Sequence, residues 1–490
     1  MARPARARAG SAIRAARGIW LMEVELEPVV PAGDACIRDS AGDAAVEAGE
    51  RVAAASPWTF NLRLAFAVIA TRTASESIVA AEMLTAFVYL LTDGSDVAVG
   101  YIAGIRGIVQ LVCAAFAGLA TDRFGSRRVL RVASLLLATS LSVFLLAFLT
   151  ETIGLVFAGS LVYGAVLTLS GTAVEAEVAA QTRDGARNKI YGQKHAVMNL
   201  SRAVGPLVSL VMFLAIGDTW SVERLRAVLI AGVVLGIPAV VLMLLFRPAD
   251  PPEAPVDKAE EIAADEAANE ADDADDAVAG EDDMVVLGFH VTRARLPFII
   301  AFSDVWGSLG AGMSVQFFVT YFMAVGLSPT TVAIILVLGL VGTAGASLAT
   351  ATVSLRLGRA WTVIGIEMLG AALLVLMVLV AHPLLVAIVA VVRTSVANSV
   401  IPLQRSIVFD LVSQKHAGKW AAAESLTNFS WSASAVAGGY IANAWGYKAC
   451  FVVTALFYVT AASPYFVLRR LIPHTALAKR DGFSPLVEEE

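Results

Sequence analysis

Apolar residues run through the chain in two long blocks, Trp58–Phe246 and Leu296–Leu468, each cut by short loops and separated by a polar stretch at 247–294. A helix needs about 20 apolar residues to cross a hydrocarbon core, so at about 30 residues per span and loop each block holds roughly six spans. The pattern predicts spans at 62–91, 97–120, 129–149, 153–174, 196–216 and 227–246 in the first block. In the second it predicts 297–324, 331–353, 362–381, 383–409, 421–442 and 450–468. The first span is longer than a bilayer requires, which implies tilt or an interfacial lead-in. The expected fold is all-α and integral to the membrane, with twelve transmembrane helices in two six-helix halves. Residues 58–247 and 295–470 form the halves, 248–294 the linker, and 1–57 and 471–490 the tails.

Composition narrows the class. The 490 residues are 58% hydrophobic and 16% charged, whereas a soluble chain is nearer about 25% charged. A string of water-soluble domains is excluded. Cys36, Cys113 and Cys450 are too few and too scattered for a disulfide framework or a metal site. The net charge is −6, but the linker segment Asp250–Asp283 holds fifteen acids and one lysine, a net of −14, so the remainder of the chain carries +8. Such a like-charged, Ala-rich run reads as a solvated tether.

The basic residues also set an orientation. Arg123, Arg127 and Arg128, then Arg183, Arg187, Lys189 and Lys194, then Arg356, Arg359, Lys415 and Lys419 fall in loops on one side. The Arg-rich leader and Arg469–Arg470 share that side. The positive-inside rule therefore places both termini and the linker in the cytoplasm, as an even number of spans requires. The leader has no signal-peptide core and reads as a cytoplasmic tail. Its acid-free, Arg-rich start also fits an organellar transit peptide, so the plasma membrane and an organellar membrane both stand.

After the second predicted span comes Gly118-Leu-Ala-Thr-Asp122-Arg123-Phe-Gly125-Ser-Arg127-Arg128. A carboxylate at the helix end, a glycine for a tight turn and arginines for headgroups make physical sense there. Their order is more specific than their charge. The segment resembles the signature of the major facilitator superfamily, G-x-x-x-D-R-x-G-R-R, with Ser126 as one extra residue. A degenerate copy, Arg356-Leu-Gly358-Arg359, stands at the equivalent loop of the second half, with Leu355 in place of the carboxylate. The resemblance covers about residues 60–470. It implies pseudo-symmetric halves around a midplane site that opens to one face at a time, and an inner gate held by Asp122 against a helix N-terminus across the half interface. The fourth-span arginine of proton-coupled members is replaced by Ser160. Gly205-Pro206 keeps only part of the antiporter pattern and reads as a local bend or close-packing point.

Ionisable residues at membrane depth mark a pathway or a buried pair. Arg72 and Glu76 are spaced to pair on one helix face, or else meet the inner headgroups. Glu82 and Arg106 lie at similar depth, roughly 13–14 Å from one face at 1.5 Å per residue, so they are placed either to pair across adjacent helices or to serve in coupling or gating. Asp304, Arg393 and Asn398 stand in the second half, and Glu367 either joins them or reaches for the inner surface. Glu76, Glu82 and Asp304 are the leading coupling candidates, with Arg393 as anion ligand or counter-charge.

The expected activity is secondary transport of a small molecule or ion by alternating access, with protons as a candidate coupling ion and the monomer as the working unit. An uncoupled facilitator and a transporter-like receptor or scaffold using the acidic linker are the alternatives. No paired-histidine metal motif, nucleophile elbow or phosphate loop is present in the sequence, so neither enzyme chemistry nor a cofactor, metal or nucleic-acid partner is expected.

Overall fold

In the computed structural model the described residues are 58–182, 187–247, 284–286, 289–291, 296–411 and 417–469. The two tails and nearly all of the linker lie outside them. The helices follow the apolar blocks. The first half contains α1 (Phe60–Val79), α2 (Glu82–Leu91), α3 (Asp96–Phe124), α4 (Ser126–Thr150), α5 (Ile153–Gln181), α6 (Arg187–Ile216) and α7 (Val222–Leu244). The second contains α8 (Leu296–Val315), α9 (Phe318–Val325), α10 (Pro329–Leu357), α11 (Arg359–Leu379), α12 (Pro383–Ser399), α13 (Ile401–Leu411) and α14 (Ala417–Leu468). Between the halves, β1 (Met284–Val286) and β2 (Phe289–Val291) pair antiparallel with Val285 opposite His290. This hairpin is an addition to the expected all-α fold.

Eleven stretches of the described residues are long and apolar enough to cross a membrane. The last, Ser425–Phe466, contains two crossings. Gly446 adopts φ 78°, ψ 169° inside α14, and the chain reverses there, because Cys450 returns to the carbonyls of Gly438 and Met313. Each arm is about 20 residues, one membrane thickness. Twelve crossings result among the described residues.

The long first span, expected to tilt or to begin as an interfacial lead-in, is interrupted. The helix breaks at Ala80 (φ −134°, ψ 16°) and Ala81 (φ −124°, ψ −147°). The seventh span, its repeat partner, breaks likewise between α8 and α9 at Phe317 (φ −105°, ψ 8°).

In lipid the apolar tails compete equally for apolar side chains, so helices associate through close packing and hydrogen bonds. Glycine provides the closest approach between α3 and α14. A Cβ on Gly100 would stand 2.5 Å from the Ala435 carbonyl oxygen, and one on Gly439 2.7 Å from that of Asp96.

Candidate functional site

The break in the first span exposes backbone that hydrocarbon cannot satisfy. Arg106 of α3 supplies the partner: its guanidinium donates to the Ala80 carbonyl. No ion pair joins Glu82 and Arg106 among the described residues. Glu82 is the first residue of α2 and lies in the field of Arg106 together with Glu76 and Tyr163, but the hydrogen bond goes to the orphaned carbonyl. Leaving that group bare would forfeit about 1–3 kcal/mol. Arg72 and Glu76 do pair, at 3.3 Å along one helix face. The buried Tyr163 hydroxyl faces this cluster and makes no hydrogen bond among the described residues.

Gln316, at the break of the seventh span, lines the same cavity as Ala80, Ala81 and Arg106. Its volume is about 10 Å³, the room one water requires. Two interrupted helices at corresponding repeat positions thus meet face to face. Such interruptions commonly mark the binding region of a repeat-built carrier.

The second half holds its own polar network. Glu367 of α11 accepts from the Gln404 amide at 3.2 Å and lies near Asp304 and Arg393. It is turned inward rather than toward the membrane surface. Asp304 of α8 faces Tyr465 and Arg405. Arg393 is buried, donates to the Tyr458 hydroxyl at 2.9 Å and stacks 4.9 Å over the Phe318 ring, while its Nε has no hydrogen-bond partner among the described residues. Asn398 is exposed and makes none of these contacts.

At one end of the bundle the signature forms a one-residue turn. Gly125 joins α3 to α4 with φ 82°, ψ 147°, and its repeat mate Gly358 joins α10 to α11 with φ 85°, ψ 152°. Asp122, Arg123, Gly125 and Arg128 are exposed and Arg127 is partly buried. Asp122 forms neither an ion pair nor a hydrogen bond among the described residues, and open space surrounds Gly118 and Gly125. In the second copy Arg356 is exposed, Gly358 is buried, and the buried Arg359 donates to Ser406 of α13.

Sequence reasoning missed Glu177. It accepts from Asn61 at 2.8 Å, Gln181 at 3.2 Å and the Ser126 hydroxyl at 2.6 Å. The extra residue of the signature therefore anchors α4 to α5. Gly205 packs its backbone on α1, its N–H donating to the Ser77 hydroxyl at 3.0 Å, and α6 continues through Pro206.

Among the described residues, hydrogen bonds join the halves at the opposite end. The Tyr101 and Tyr440 hydroxyls meet at 2.6 Å, and the Tyr447 hydroxyl donates to Asp96 at 3.0 Å. The Trp220 indole donates to the Leu327 carbonyl at 2.7 Å, and the Thr330 N–H donates to the Asp218 carboxylate at 2.8 Å. The last contact completes a helix cap. Pro329 has no N–H, the Ser328 hydroxyl takes that of Thr331, and Asp218 reaches across to take that of Thr330. Desolvation raises the Asp218 carboxyl, but the bonds from Thr330 and Ser328 outweigh it and hold the group below the usual carboxylate range.

Two six-span halves, an intramembrane charge cluster in each and contacts concentrated at one end define an integral membrane transporter. A family model of the Major Facilitator Superfamily matches residues 64–326, and the chain belongs to that family. No curated protein sequence matches it. Among solved structures, the nucleoside transporter NupG aligns over 84% of this chain and 100% of its own at 13% identity and a TM-score of 0.60. A bacterial homolog of the human lysosomal transporter Spinster, inward-facing and unoccupied, aligns over 84% and 97% at 12% identity and 0.63. A D-xylose–proton symporter aligns over 84% and 97% at 14% identity and 0.59. At these identities the likeness concerns the fold alone.

Proposed function

We propose that the protein is a monomeric secondary carrier that moves a small solute by alternating access, its two halves rocking about the paired helix breaks. The observation that carries this reading is the asymmetry between the two ends. One end is latched by hydrogen bonds between the halves, while among the described residues Asp122 at the other is disengaged. A carrier must exchange these conditions. The positive-inside rule assigns the signature loops to the cytoplasm, so this is the inward-facing state.

For coupling, Asp304 and Glu367 are the carboxyl groups that face each other inside the second half, and Glu76 and Glu82 flank the break in the first. The resemblance in fold to a D-xylose–proton symporter makes the proton the first ion to test.

In a background with Cys36, Cys113 and Cys450 replaced by alanine, Asn398→Cys in sealed vesicles should react with an impermeant thiol reagent from the cytoplasmic side. With Asp218→Ala added, reaction should also occur from the opposite side. Labelling confined to one side in both proteins would contradict alternating access. Solute uptake insensitive to a pH gradient would remove the proton from the scheme.

A further inference from the structure

Exposed Leu200, Leu207, Val211 and Leu214 form a stripe along α6 that marks its lipid-facing side. At about 100° per residue, Arg202 lies roughly 200° round the helix from Leu200, with His195 within about 20° of Arg202. Both project from the face opposite the lipid stripe, and both are exposed. Arg202 sits midway along the span Lys189–Ile216, where a guanidinium in contact with hydrocarbon would be costly. An exposed arginine on the face turned away from lipid borders water between the halves.

The second half contributes to the same space. His195 lies in the field of Arg405, Arg202 and Lys194, so Arg405 of α13 lies near the face of α6 that carries His195 and Arg202. The neighbouring acids do not cancel this cluster symmetrically. Glu175 holds Lys194 and Asp304 faces Arg405, whereas Arg202 forms no ion pair among the described residues.

We propose that the transported solute is a small anion bearing a carboxylate or phosphate group, held between Arg202 of the first half and Arg405 of the second. This rests on the carrier reading and names its substrate class. Guanidinium forks match the paired oxygens of either group. The placement also links binding to movement. An anion reaching both walls adds an attraction on each and favours the state in which both arginines reach it, which is the differential affinity a conformational shift requires.

The test places spin labels at Phe124→Cys and Leu357→Cys, the equivalent ends of α3 and α10, in the cysteine-free protein in nanodiscs. Phosphate, succinate, uridine, xylose and choline are added in turn. Phosphate or succinate should shorten the distance between labels, and which of the two acts identifies the recognised group; the neutral and cationic solutes should leave it unchanged. Arg202→Gln and Arg405→Gln should each raise the anion concentration needed by about ten- to hundredfold. Arg202→Lys should lose less, because it keeps the charge and forfeits only the fork. A distance that neither anion moves, or that uridine, xylose or choline moves, overturns the proposal, as does an undiminished anion response in the glutamine variants. Asp218→Ala serves as the solute-free control. If it shortens the distance and the anions do not, only the substrate class is wrong; if it too has no effect, the carrier reading fails with it.

Discussion

Asp218 caps a helix belonging to the other half of the molecule, so a single side chain reports on the closure of one whole end. Asp218→Ala removes the acceptor for Thr330 and should weaken the closed end by about 0.5–1 kcal/mol, the magnitude of an exposed cap. Spin labels at Tyr101→Cys and Tyr440→Cys would register this as a larger population of separated halves. The pH dependence follows from the lowered carboxyl. Its contribution is complete above the ordinary carboxylate value near about 4 and fades as pH falls through the depressed one. The closed-end population should therefore owe no variation to Asp218 between about pH 5 and 8.

Arg106→Ala should leave the Ala80 carbonyl bare and lower thermal stability by about 1–3 kcal/mol, with partial recovery in Arg106→Lys. The sequence marks Arg106 and Glu82 but not their relation. Alanine is the strongest helix former, so nothing local at Ala80-Ala81 announces a break; tertiary packing imposes it. Arg202 is hidden for the converse reason. It sits inside a predicted span like any anchoring arginine, and only the exposure of its neighbours shows which way its face turns.

Among the elements, the span positions were legible because hydropathy alone determines them in a membrane. The duplicated turn was legible too, since both copies keep the glycine. A backbone with φ near 80° and ψ near 150° is one that side chains rarely adopt. Gly125→Ala and Gly358→Ala should each cost about 1–3 kcal/mol, measurable as a lowered Tm in detergent. The copies part at their side chains: the carboxylate is lost in the second, and Arg359 serves its own half by holding Ser406.

The contact of α3 with α14 carries a prediction of the opposite kind. Gly100→Val brings a branched side chain to a position where even a lone Cβ would stand 2.5 Å from the Ala435 carbonyl oxygen. The helices must part, so the Tyr101–Tyr440 distance should lengthen while the individual helices persist by circular dichroism.

For the whole molecule, the charge pattern implies an arginine collar at one face, and the structure adds what charge could not: the hydrogen bonds between the halves lie at the end opposite the signature turns. The resemblance directed attention to Asp122 as the carboxylate at a helix N-terminus. In this conformation Asp218 fills that role at the opposite end, between α6 and α10. Two carboxylates at two ends suit a molecule that holds one gate at a time. The most direct test measures both ends together, with label pairs at Tyr101→Cys with Tyr440→Cys and at Phe124→Cys with Leu357→Cys, each with and without Asp218→Ala. Rocking predicts that Asp218→Ala lengthens the first distance and shortens the second. Two distances that stay fixed, or that lengthen together, would contradict it.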